Sequence, residues 1–447
     1  MTRAPDELPA LAELERIVAD TLDQARALGA TQAEAAASVE AGLTVTVRLG
    51  EVETLEHQRD RGLGVTVYFG HRKGSASTSE LSPQAIADTV RAAASIARYT
   101  AEDPCAGLAD PEHMAREVPD LDLDHPWALS GEDAIEIARR CEAAARTFDP
   151  RIVNSDGATL ASHRGVRVYG NTHGFLGGYA STSHSLSCVM LGSEGNGMQR
   201  DHWYTHARDP AALETPEEVG REAARRTLQR LGARRLTTRR AAVLFAPEAA
   251  KSLIGHFLGA IRGGAQYRRA SFLLDAAGQA VFPSFLDIEE QPHLRRAAGS
   301  APFDAEGVAT RARALVKKGI LQGYLLDSYS ARKLGLVTTG NAGSVHNIVV
   351  GHSGLDREAL LRRMGRGLIV TELLGQGVNG VTGDYSRGAT GFWVEQGEIA
   401  YPVEEITIAG NLRDMYRGIA AVGNDVDVRG NIRTGSILID EMTIAGE

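Results

Sequence analysis

A catalytic zinc takes three protein ligands and keeps one position for water, with a carboxylate nearby to accept that water's proton. His202-x-x-x-His206, with Asp201 adjacent and His184 upstream, offers nitrogen and oxygen donors that a strand can present on one face. No third donor stands at a fixed spacing from them, so they read as ordinary surface histidines unless residues 184–206 converge. His163, His173, His293, His346 and His352 are less constrained still. A second candidate, Gly375-Gln376-Gly377-Val378-Asn379-Gly380, matches G-x-G-x-x-G and follows the apolar run Leu368–Leu374. A dinucleotide site needs a helix opening directly after those glycines to receive the pyrophosphate. The residues from Val381 to Gly388 carry no helical pattern, so tight β-turns are expected instead. Ser386 has no G-x-S-x-G elbow and no assignable base, which argues against a serine hydrolase.

The most specific stretch is TELLGQGVNGVTGDYSRGATGFWVEQGEIAYPVEEITIAGN, residues 371–411. With the segments 72–76, 263–275, 300–307, 328–340 and 422–425, it resembles the TldD/PmbA peptidase family, PmbA/TldE branch, and the resemblance extends over nearly the entire chain. It implies zinc-dependent peptide hydrolysis shared between two subunits. One subunit bears the metal on a His-Glu-x-x-x-His sequence with a late cysteine; its partner lacks both. Where the resemblance places that motif, this chain reads Lys251-Ser252-Leu253-Ile254-Gly255-His256, and only the last histidine remains. An ammonium at Lys251 repels a cation, and Ser252 cannot replace a glutamate as general base. Ligands five residues apart lie about 140° from each other on a regular helix, so such a site also needs a locally wider turn, which Gly255 permits. No cysteine follows Cys188, and Thr434 stands in the region expected for the late thiol.

The resemblance therefore implies a chain with no catalytic residue, metal or cofactor of its own. Its zinc resides in a TldD-like HExxxH-bearing partner, and together the two enclose unfolded or extended peptides for proteolysis or maturation. Asp384, Tyr385, Ser386 and Arg387 are the candidate peptide or partner contacts. Simpler roles are a packed, backbone-bonded histidine at 256 and a solvated helix position at Lys251. The alternative function is a non-proteolytic peptide-binding or regulatory protein that forms a homo-oligomer.

The elements that must position these residues are legible in part. Leu11, Leu14, Ile17, Val18, Leu22, Ala25 and Leu28 recur at helical spacing, ending near Gly29. Leu43, Val45, Val47 and Leu49, then Leu63, Val65, Val67 and Phe69, alternate as strands do. Ser82-Pro83 opens a helix, Ser130 and Asp133 open another through about Thr147, and short strands are expected near 166–169 and 179–191. Thr215-Pro216-Glu217-Glu218 is a capping box whose helix ends near Gly232. Eight arginines between residues 221 and 240 are offset by Glu217, Glu218 and Glu222 and interleave no aromatics, so they read as a solvated helix face and interdomain hinge rather than a nucleic-acid patch. Further on come a strand at 243–245, a helix from Pro247, a helix at about 356–364 stopped by Gly365, and a hairpin turning at Glu395-Gln396-Gly397.

The chain has 447 residues, beyond the roughly 250–300 at which one core stops growing. Two α+β domains are expected, residues 1–235 and 236–447, with mixed and antiparallel sheets, flanking helices and a glycine-rich, β-rich second half. The net charge of −9 disfavours nucleic acid as a partner. Three scattered cysteines, no leader-like amino terminus and no apolar run long enough to span a membrane point to free thiols and a cytoplasmic setting.

Overall fold

Small and branched apolar residues in strict alternation carry the first half of the chain. The structure, a computed structural model, describes residues 8–195 and 197–446. In β1 (Gln32–Arg48) the odd residues from Ala33 to Val47 are buried, apart from a half-buried Ala41. This strand is flanked by β2 (Glu51–Phe69) and β4 (Ile152–Asn171) in a six-stranded antiparallel sheet of order β3-β2-β1-β4-β5-β6, where β3 is Arg72–Thr78, β5 Leu176–Glu194 and β6 Gly197–Ala207. At 17 to 20 residues, β1, β2, β4 and β5 are about three times the usual length. One face of the sheet is therefore long enough to hold two cores. Helices α1 (Leu11–Ala27) and α2 (Pro83–Tyr99) cover the end holding Ala33–Val39. Helices α3 (Gly131–Arg146) and α4 (Pro216–Gln229) cover the end holding Leu43–Val47. Cys141 and Cys188 meet in that second core as free thiols, and the contact together with burial pushes the Cys141 thiol up.

Three differences from the sequence reading have physical causes. The short strands expected near 166–169 and 179–191 are parts of β4 and β5, whose flanks are Ser, Thr, Gly and His on the uncovered face and so carry little apolar signal. Leu49 does not continue β1. It sits in the hairpin turn with φ 53°, followed by Gly50 at φ 84°, and the carboxylate of buried Glu142 accepts both backbone N–H groups at 2.6 and 2.8 Å. Finally, α4 is not simply a solvated face. Half-buried Arg226 and buried Arg230 pair with Asp201, Glu248 and Glu372, tying the first sheet to strands and helices beyond residue 236.

Beyond that helix, β7 (Arg239–Phe245) leads into α5 (Pro247–Ala260). Strands β8 (Ile288–Glu290), β9 (Arg313–Lys317), β10 (Ile320–Leu321), β11 (Ile348–Val350) and β16 (Ile432–Arg433) form a five-stranded sheet in the order β10-β9-β8-β11-β16. Strands β12 (Gly367–Leu374), β13 (Asp384–Glu395), β14 (Glu398–Asn411), β15 (Ile419–Val422) and β17 (Ile437–Ala445) join β7 in the order β14-β13-β12-β7-β17-β15. Because β14 also pairs with β17, five of these strands close on themselves. The β7–β12 and β11–β16 pairs are parallel and the others antiparallel, so the fold is α+β with mixed sheets. Helix α5 sinks Leu253 and Phe257 into the core shared with Phe245, Tyr385 and Tyr416. None of the described helices is long and apolar enough to cross a membrane.

Candidate functional site

Helix α5 starts with Pro247 in its first turn, where a missing N–H costs nothing. Its apolar positions face the core, leaving Lys251, Ser252, Gly255 and His256 half-buried on the other side and Gly259 exposed. A Cβ added at Gly255 or Gly259 would meet nothing within 4 Å. The helix thus has an open trough along this face.

At the first position of the motif, Lys251 is not solvated as the sequence suggested. Its ammonium donates to Asp427 Oδ2 at 2.5 Å, and the Asp427 side chain is only 5% exposed. Arg429 donates to the same carboxylate from Nε at 3.0 Å and Nη2 at 2.8 Å. Burial alone would raise the Asp427 carboxyl; the hydrogen bonds from Arg429 and Lys251 overcome it and hold the group at about 2. Ser252 Oγ donates to Ala249 O at 2.8 Å within its own helix. Thr434 is fully buried, its carbonyl accepting from Asp427 N at 3.1 Å. The late segment therefore does meet the start of α5, but it brings an ion-paired carboxylate and a hydroxyl turned to Gly435 O.

His256 packs edge-on against Tyr385, with ring centroids 6.1 Å apart at 77°. Its Nε2 is buried and makes no hydrogen bond, contrary to the backbone-bonded histidine expected. Burial, then the charge of Arg387, makes the ring less basic. Strand alternation in β13 decides which of the four candidate contacts join it. Tyr385 and Arg387, two residues apart, share the face toward α5; Asp384 and Ser386 are exposed on the other. Tyr385 is 1% exposed with an unpartnered hydroxyl, which burial pushes up to about 12 while Arg387 pulls it back. Arg387 Nη2 donates weakly to Leu373 O at 3.4 Å, and its Nε has no acceptor. Asp384 instead accepts from Thr382 Oγ1 at 2.6 Å and Asn411 Nδ2 at 3.2 Å. Ser386 donates its N–H to Gly377 O at 2.7 Å, and a Cβ on Gly377 would lie 1.9 Å from Ser386 O. The G-x-G-x-x-G segment is thus a turn folded back on β13, and no helix follows it. The Tyr385–Arg387 pairing was available from their i, i+2 spacing, whereas no sequence signal joined them to His256.

The upstream histidines do not converge. His184 lies on the covered face of β5, bonded to Ser162 Oγ and His125 O, while His206 lies on the open face, bonded to Ser183 Oγ at 3.0 Å. Among the described residues no three His, Cys, Asp or Glu side chains are grouped to hold a metal ion. The motif positions do not suit zinc chemically either: an ion-paired ammonium, a hydroxyl spent on its own helix and one imidazole beside a guanidinium.

This fold and this altered constellation define the class, for the chain belongs to the PmbA/TldD metallopeptidase family. Residues 33–97, 124–231 and 238–446 match the family's PmbA/TldA metallopeptidase domain 1, central domain and C-terminal domain. Within the family it is similar to Metalloprotease PmbA of Escherichia coli O157:H7, at 56% identity over 93% of this chain and 92% of that one. The PmbA homolog of Haemophilus influenzae is 49% identical over 97% and 96%, whereas the TldD homolog of the same organism is 24% identical over 87% of each chain. A solved Bacteroides thetaiotaomicron structure described as a candidate modulator of DNA gyrase superposes with TM-score 0.92 at 27% identity, covering 97% of this chain and 99% of that one. TldE of Thermococcus kodakarensis shares the fold at TM-score 0.85 and 20% identity, over 96% and 100%.

Proposed function

We propose that this chain is the non-catalytic subunit of a TldD/TldE-type zinc metallopeptidase, binding unfolded peptides while an HExxxH-bearing TldD-like partner supplies zinc and general base. The observation that carries this reading is the ion pair of Lys251 on α5 with Asp427, in the place where the resemblance puts a first zinc ligand. The greater identity to relatives named PmbA than to one named TldD supports it. Peptide binding through backbone groups suits a substrate of varied sequence. A cytoplasmic setting goes with the free thiols. The test is to purify this chain, a metal-bearing homologue and their mixture, measure zinc in each, and digest matched folded and unfolded substrates. Zinc in the homologue and cleavage of unfolded chains by the mixture alone is the expected result. Stoichiometric zinc and turnover with this chain alone would refute the assignment. Peptide binding without cleavage in any mixture would favour the non-proteolytic peptide-binding role.

A further inference from the structure

His256 Nε2, the Tyr385 hydroxyl and Arg387 Nε are all buried and without hydrogen bonds, although buried polar atoms are nearly always paired. Tyr385 packs edge-on against His256, and Arg387 lies two residues on along the same face of β13 as Tyr385, with its charge acting at both rings. Their chemistry is one-sided. Guanidinium Nε–H only donates, a tyrosine hydroxyl donates readily, and a neutral imidazole donates from Nε2 in one tautomer. A metal cation is repelled by such a group, whereas an acceptor with two oxygens satisfies it.

Access is offered by the open side of α5, where Gly255 and Gly259 leave space beside the half-buried His256. The Arg387 fork donates to Leu373 O at 3.4 Å, at the weak limit for a hydrogen bond, so it can turn to a better acceptor at little cost. A planar carboxylate matches that fork in two-pronged geometry, and a single guanidinium with neutral donors suits one negative charge better than the two of a phosphate.

We propose that His256, Tyr385 and Arg387 form a carboxylate-binding site that anchors an acidic group of a peptide lying along α5. The proposal rests on the peptide-binding reading above and deepens it. The position that carries a zinc ligand in the implied partner becomes an anion anchor in this subunit. The carboxylate is either the peptide's own terminus or a glutamate or aspartate side chain.

The experiment is fluorescence anisotropy with an amino-terminally labelled, unstructured glycine–serine–alanine peptide in three forms: free acid, carboxamide, and carboxamide containing one internal glutamate. Each is titrated with the full chain, with Tyr385→Phe and with Arg387→Met. One charge-assisted hydrogen bond network should make a carboxylate-bearing form bind about ten- to a hundredfold tighter than the plain carboxamide. That preference should vanish in Arg387→Met and shrink in Tyr385→Phe, and the form that shows it identifies the source. Tyr385→Phe keeps the buried ring and removes only its hydroxyl, which has no well-formed hydrogen bond, so it keeps the fold and carries the test even if the arginine variant does not. Equal binding of the three forms, or a preference unmoved by Tyr385→Phe, overturns the carboxylate site and leaves peptide binding intact. No binding of any form, by this chain alone or with the metal-bearing subunit, overturns both.

Discussion

Replacing Lys251 with methionine keeps the apolar stem and removes only the ammonium, so it isolates what the lysine does for the fold. Its partner Asp427 is held at about 2 instead of the ordinary 3.8, a difference of nearly two units at about 1.4 kcal/mol each. The whole arrangement around that carboxylate thus contributes roughly 2.5 kcal/mol. Two of the three side-chain bonds to Asp427 come from Arg429 and one from Lys251, so Lys251→Met should destabilise by about 1 kcal/mol at neutral pH, less than the 3–5 kcal/mol for stripping a buried charge of its only partner. A carboxyl depressed in the folded state contributes fully above its unfolded value and loses that contribution as pH falls through the folded value. The deficit should therefore be complete above about pH 4 and fade toward pH 2. Urea unfolding of the wild type, Lys251→Met, Asp427→Asn and the double variant measures the coupling directly. A chain with several cores need not unfold in one step, so the same fluorescence probe must be compared throughout. Coupling below a few tenths of a kcal/mol, or a deficit equal at neutral and strongly acid pH, would refute a structural ion pair at the first motif position.

Glu306 stands at about 7, raised chiefly by burial. The folded chain then retains a proton that the unfolded chain releases above about 4.5, so stability falls as pH rises through that window, and Glu306→Gln should gain about 3 kcal/mol near pH 8 and nothing below pH 4 by chemical denaturation. Leu49 occupies the left-handed region at φ 53° and is 49% exposed. Leu49→Asn should raise the thermal midpoint by relieving about 1 kcal/mol of backbone strain, and a lowered midpoint would show that the leucine's contacts matter more.

Local chemistry was the legible part of this chain. Ser82, Ser130, Thr215 and Asp356 cap helices where their side chains indicate, and Gln396 and Gly397 turn the hairpin with positive φ at both positions. A cap or a turn is decided within four residues, so sequence suffices. The lengths of β4 and β5 were hidden because serine and threonine on an uncovered face look like loop. Arg226 and Arg230 read as solvent-facing because their acids, Glu248 and Glu372, lie far along the chain. The same limit applies at the candidate site. Lys251, Ser252 and His256 were locatable only through a family resemblance, and Asp427 as the lysine's partner depends on β16 and its flanking loop returning to α5. Of the four residues at 384–387, the two that reach His256 follow from strand alternation once β13 is placed, which the turn-rich composition around it obscured.

The closed ring of β7, β12, β13, β14 and β17 also sets an order of events during synthesis. Strand β7 is made first but is flanked in the finished ring by β12 and β17, the latter assembled from residues 437–445. Until those residues leave the ribosome, β7 and β14 each present an unsatisfied row of backbone groups, the kind of edge that recruits other chains. Everything packed on α5, including the trough beside His256, waits for that late strand. The α5 face is thus a product of the last stage of folding, and loss of a few residues from β17 would abolish it more thoroughly than any substitution within the trough itself.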